Sequence, residues 1–388
     1  MTIIKSNVLL CALLLALAAS GCESDTAGMA HGGGTVQFTA SGEVLALGGY
    51  AFPPKADGDP IFVDGWEVRF EQLLVTLDKI TLSEDPDQSP TDQSRTGKAV
   101  ARVEGPWAVD LHKGGPLMGK GGSDEQALPI ATIESQNLNG DEPFDDTVRY
   151  AFGFDVVTAT KSAEQLNLDS EGKANYERMI ENGWAVMYVG TATFKGEDCT
   201  STDGDYDFSA LPEQVKFELG FASPATYVNC QNPDNDGKPL GDEESPRGVQ
   251  VKSNTTTIAQ ATIHTDHPFW ESLMHDSPAH FDQLAARAKD VDGTMTVTTD
   301  DLRGADYTKF TDADGNDLPW RSCDASYTPP DNAKAMHFDS LGIPFDPEGD
   351  PDEAMRDYVD FMTYDQSTQG HLNSDGLCFV ERHYPSPP

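Results

Sequence analysis

Basic side chains are scarce in this chain: 26 Lys and Arg face 65 Asp and Glu, a formal net charge of −39 at pH 7. Such a surface repels nucleic acid and anionic lipid and favours cations or basic partners. It also hydrates strongly, which keeps a protein soluble. Long apolar runs are scarce too; the most apolar one, Val8 to Ala19, is too short to span a bilayer as a helix. The six cysteines stand in no CxxC, CxxCH or zinc-finger spacing, which argues against haem attachment and a thiolate metal centre. Gly-x-Ser-x-Gly, HExxH and P-loop motifs are missing, and no Gly-rich phosphate loop follows a predicted strand. Composition and motifs therefore point to a binding protein ahead of an enzyme.

What is present begins at the N-terminus. Lys5, the apolar run and the small residues Ser20-Gly21 before Cys22 read as a secretory signal over residues 1–21. Ala19-Ser20-Gly21-Cys22 resembles the bacterial lipobox, which implies cleavage before Cys22, acylation of its thiol and a lipid anchor in the membrane. The expected location is the bacterial cell envelope, periplasmic or on the outer-membrane surface. Residues 22–34, with Gly32-Gly33-Gly34, read as a flexible tether. The four later cysteines, Cys199, Cys230, Cys323 and Cys378, are an even set in an exported chain and so predict two disulfides. Pairing within modules favours Cys199 with Cys230 and Cys323 with Cys378.

Hydrophobic periodicity predicts a mainly β protein, antiparallel and sandwich-like, over residues 35–265. A smaller helical and loop-rich part follows over 266–388, α+β in total, on the same core or apart from it. Val148 to Val156 and Val215 to Phe221 alternate apolar and polar residues, as half-buried strands do. Trp66 to Phe70 alternates in one parity and Leu73 to Leu77 in the other, which predicts a bulge or corner between Phe70 and Leu73. Asn175 to Asn182 is a helix stopped by Gly183. Further helices are expected over Pro278 to Ala288 and from Asp350 onward, the latter with Met355, Tyr358, Val359 and Met362 on one stripe.

The stretch that organises the functional reading is Thr262-Ile-His-Thr-Asp-His-Pro-Phe-Trp270. The β-branched run from Thr255 reads as a strand that ends in His264-x-Asp266-His267, with Pro268 opening the next element. On a strand His264 and Asp266 share a face, and His267 swings in from the turn. Gln369-Gly-His371 lies seven residues before Cys378, and a disulfide there would fix His371 as a remote fourth donor. Two or three imidazoles with a carboxylate select zinc or copper ahead of calcium. His112, His275, His280, His337 and His383 read as weaker candidates.

Two Asp-rich turns fit calcium loops in part. Asp290-Val-Asp292-Gly293 lacks the anchoring carboxylates of an EF-hand loop; Asn232, Asp234, Asp236 and Glu243 keep the ligand spacing, but Pro233 and Pro239 argue against the flanking helices. The His-x-Asp-His strand end, the helix with an Asp turn and the late Gly-His and Cys together resemble a group of uncharacterised predicted bacterial lipoproteins. That resemblance covers about residues 255–302 and 369–378 and implies a shared architecture and metal-like site. The expected function is a lipid-anchored extracytoplasmic protein that binds zinc or copper for capture, delivery or structure. The alternatives are a cell-surface module that binds polysaccharide or protein around a structural His cluster, and a metal-dependent hydrolase.

Overall fold

A computed structural model describes residues 33–237, 245–273, 277–307, 309–312, 314–328, 345–350 and 353–383. The expected signal, Cys22, the tether up to residue 32, Glu243, His275 and His337 lie outside them. Among the described residues no helix is long and apolar enough to cross a membrane.

The fold is mainly β, as the alternating patterns lead one to expect. One sheet has six strands in the spatial order Gly376–Leu377, Gly370–Leu372, Thr256–Ile263, Thr35–Ser41, Gln126–Ile133 and Leu117–Met118. The larger sheet is built on the 18-residue strand Trp66–Ser83, flanked by Val186–Phe194 on one side and Arg149–Val156 on the other. Phe38 and Phe152 bring the two sheets together, with ring centroids 6.2 Å apart. Both sheets draw strands from either side of residue 265.

Pairing is mostly antiparallel, but Thr35–Ser41 runs parallel to Thr256–Ile263, and Gln214–Phe221 parallel to Thr294–Thr298. Parallel partners far apart in sequence leave no hairpin signal, so period two alone does not reveal them. The change of parity after Phe70 is a bulge: pairing with Val186–Phe194 shifts between Phe70 and Gln72. The helix read from Asn175 extends back to Ser170, because the Asp169 side chain accepts from the Gly172 N–H, and it stops at Gly183 in the left-handed region.

The last third is less helical than its periodicity suggests. The expected helix over 278–288 is reduced to Asp282–Ala285, after which Lys289–Val291 and Thr294–Thr298 form a hairpin. Its two-residue turn is Asp292-Gly293, both at positive φ, the tight geometry that Asp-Gly favours. The helix expected from Asp350 starts instead at Tyr358, where Asp357 accepts from the N–H groups of Val359 and Asp360. Met355, Tyr358, Val359 and Met362 are buried as expected.

Both disulfide pairings differ from expectation. Cys199 bonds Cys323 and Cys230 bonds Cys378. Proximity in sequence failed as a guide because the sheets bring distant segments together: Thr200–Ser201 pairs with Arg321–Ser322, and the Gln231 N–H donates to the Leu377 carbonyl.

Candidate metal centre

The strand Thr256–Ile263 ends one residue before His264, and the chain turns at once into a short 3-10 segment, His267–Phe269. Phe269 anchors that turn. Its ring lies 5.3 to 6.5 Å from those of Phe62, Phe70, Tyr188, Phe217 and Phe281, deep in the core. Trp270 stacks on the His267 ring at 3.8 Å.

His371 comes from the neighbouring strand, Gly370–Leu372, where it stands opposite Thr262. Residues two apart share a face, so His264 and His371 are diagonal neighbours on one side of the ladder. The His264 N–H closes this end of the ladder by donating to the Gln369 carbonyl at 3.0 Å. Glycine precedes His371 for a steric reason: a Cβ at Gly370 would meet the Tyr227 ring at 2.4 Å. The turn beyond carries Asn373 and Ser374 at positive φ. Asn373 holds it, its Oδ1 accepting from the Gln260 N–H and its Nδ2 donating to Asn232.

The three imidazoles of His264, His267 and His371 thus converge, each offering a nitrogen within 4.8 Å of the others. Hydrogen bonds assign two of the tautomers. The Thr368 hydroxyl donates to the Asp365 carbonyl at 2.7 Å, so it accepts from His267 Nδ1–H, also at 2.7 Å, and Nε2 carries the lone pair. His264 Nε2 lies 3.1 Å from the Ser374 carbonyl, an acceptor only, so Nε2 carries the proton and Nδ1 the lone pair. Metal-ligating histidines are held in this way, with the second ring nitrogen bonded to a carbonyl, carboxylate or hydroxyl.

A second donor group shares His264. Glu43, His264 and Asp375 also place ligand atoms within 4.8 Å of one another, and Glu43 Oε1 is 3.4 Å from His264 Nε2. Burial pushes the Glu43 carboxyl above its ordinary range. His264 and the Ser374 hydroxyl pull it down, while Glu125 and Asp375 push it further up. Sequence reasoning missed Glu43 and Asp375. One Glu among 65 acidic residues carries no local mark, although Asp375, four residues after His371, lay within reach of the Gly-His motif.

Asp266, the expected carboxylate donor, belongs to neither group. Its Oδ2 accepts from Trp270 Nε1 at 3.2 Å, because the strand ends before the two-residue period reaches it. Its charge adds to burial in holding the Tyr50 hydroxyl well above its usual pKa. Asn232 and Asp234 are engaged in fixing loops: Asn232 Nδ2 donates to the Gly248 carbonyl, and Asp234 pairs with Lys120. Asp290 Oδ1 closes the hairpin turn on the Gly293 N–H. None of these turn residues, nor Asp236 or Asp292, joins a donor group among the described residues. His112 Nδ1 bonds the Ala46 carbonyl, and His383 bonds Thr226. His280 is buried, with Nε2 2.8 Å from Glu271 Oε2.

Comparison with family models finds no match, and comparisons with curated proteins and with solved structures find none either.

Proposed function

We propose that this chain is a lipid-anchored extracytoplasmic protein that binds a divalent transition metal, zinc or copper, through His264, His267 and His371. The observation that carries the reading is the convergence of three imidazoles from two paired strands and a core-anchored turn, two of them with assigned tautomers. Neutral imidazole suits these metals, whereas calcium takes oxygen ligands. A rigid, largely buried site suits capture, delivery or structural use of the metal.

Metal analysis and titration of the 388-residue chain with zinc and copper, wild type against His264→Ala/His267→Ala, test it. One equivalent retained by the wild type and lost in the double variant is expected. Equal uptake by both chains, or none by either, refutes it.

A second reading draws on the donor count. Three protein ligands leave a tetrahedral metal one position for water, the arrangement of hydrolytic zinc sites. Hydrolysis of an activated ester by the zinc-loaded chain, abolished in His371→Ala, would favour it over simple binding.

A further inference from the structure

The three rings differ in how they meet solvent. His267 and His371 are 0% and 1% exposed, whereas the His264 side chain keeps 16% of its surface accessible. A cation arriving from solution therefore meets His264 first. It meets carboxylates at the same place: Glu43 lies against the ring and is partly accessible, and Asp375 is exposed beside them. Glu125, buried, acts electrostatically on Glu43.

No Lys or Arg among the described residues neutralises this trio. Lys120, whose backbone N–H donates to Gln260 beside Glu125, sends its ammonium to Asp234. The Glu125 carboxylate is held by hydrogen bonds from Gly121 and Gln260, and the Ser374 hydroxyl donates to Glu43. Among the described residues, His264 is the group of opposite potential charge that faces Glu43.

Resting on the metal reading above, we infer that Glu43 and Asp375, beside His264, form a loading position for the divalent transition metal. The metal then passes from it to His264, His267 and His371. The carboxylates hold the arriving cation through oxygen and retained water, and His264 Nδ1 draws it inward. The transfer exchanges two carboxylates for three imidazoles, His264 entering through its unprotonated Nδ1. A local negative field on a low-dielectric wall raises the cation concentration at the site and the association rate, and salt weakens both effects. Equilibrium affinity is set mainly by the inner imidazoles.

Stopped-flow mixing of the 388-residue chain with copper(II) tests this. Trp270, stacked on His267, supplies a quenchable signal whose share is identified with Trp270→Phe. In Glu43→Gln/Asp375→Asn the association rate constant falls by about tenfold or more and loses most of its ionic-strength dependence. Asp375→Asn alone, at an exposed position, shifts both in the same direction. A control that removes two exposed charges elsewhere, Glu104→Gln/Glu177→Gln, loads at the wild-type rate. The inference is overturned if the double variant loads as fast as the wild type with the same salt dependence, or if the control slows equally. A wild type that takes up no copper overturns the metal reading itself, and the loading position with it.

Discussion

The rings of His264, just past the end of the strand Thr256–Ile263, and His371, on its antiparallel neighbour, lie 3.9 Å apart between centroids, tilted by 42°. Neither ring is placed by its own segment alone. The Thr262–His371 pairing fixes their separation, and the 3-10 turn held by Phe269 brings His267 to the same point. The cluster is thus a product of the tertiary fold, and perturbing its supports should weaken any metal binding by it.

The Thr368 hydroxyl is the support easiest to remove. Thr368→Val deletes the acceptor for His267 Nδ1–H and frees the ring to change tautomer. Metal affinity should fall about 10–100-fold, with little change in fold. Competition against a chromogenic chelator measures it; an unchanged affinity would mean that the tautomer is set some other way.

Phe269 supports the same ring through the core. Phe269→Ala removes a ring packed among five aromatic neighbours and should cost about 3–5 kcal/mol in denaturant unfolding. Because the cavity lies under the His267 turn, metal affinity should fall with stability. Loss of stability with undiminished affinity would detach the turn from the core in this account.

The convergence of the three histidines was partly legible in the sequence, because each is marked locally. His264 and His267 stand at the end of a β-branched strand, and His371 sits in a Gly-rich turn near a cysteine. Asp266 lies apart from the cluster because period two stops at Ile263, where the chain leaves the sheet. The long strand with its bulge was legible because its own side chains carry the alternation. Parallel pairing and disulfide partners were not, since both depend on segments distant in sequence.

The disulfides close long stretches of chain, with sequence separations of 124 and 148 residues. Cys378 terminates the segment that carries His371. In the chain-entropy picture each link contributes about 4–5 kcal/mol, with measured losses commonly about 2–5. Cys230→Ser/Cys378→Ser should therefore lower both unfolding free energy and metal affinity, whereas Cys199→Ser/Cys323→Ser should lower stability with less effect on metal. Equal effects on affinity would remove the special place given to the Cys230–Cys378 link.

A pH effect independent of the metal centre is expected from Asp64. Its Oδ2 accepts from the N–H groups of Phe281 and Asp282, yet burial, with the nearby Asp282 charge, raises its pKa to about 7, against the pull of His280 and the two amides. An acid with a raised folded pKa keeps a proton that the unfolded chain has released. Stability therefore falls as pH rises from about 4 to about 7, and the full penalty remains above that. Between pH 4 and pH 8 the stability of Asp64→Asn relative to wild type should improve by up to about 4 kcal/mol. Denaturant unfolding at the two pH values measures this, and parallel profiles for the two chains would contradict it.

X-ray absorption at the metal edge of the zinc- or copper-loaded chain reads the inner ligands themselves. A first shell dominated by nitrogen is expected, for zinc at about 2.0–2.1 Å, with multiple scattering from three imidazoles in the wild type and from two in any metal retained by His371→Ala. A shell of oxygen alone, or the same imidazole count in both chains, would rule out the three-histidine site.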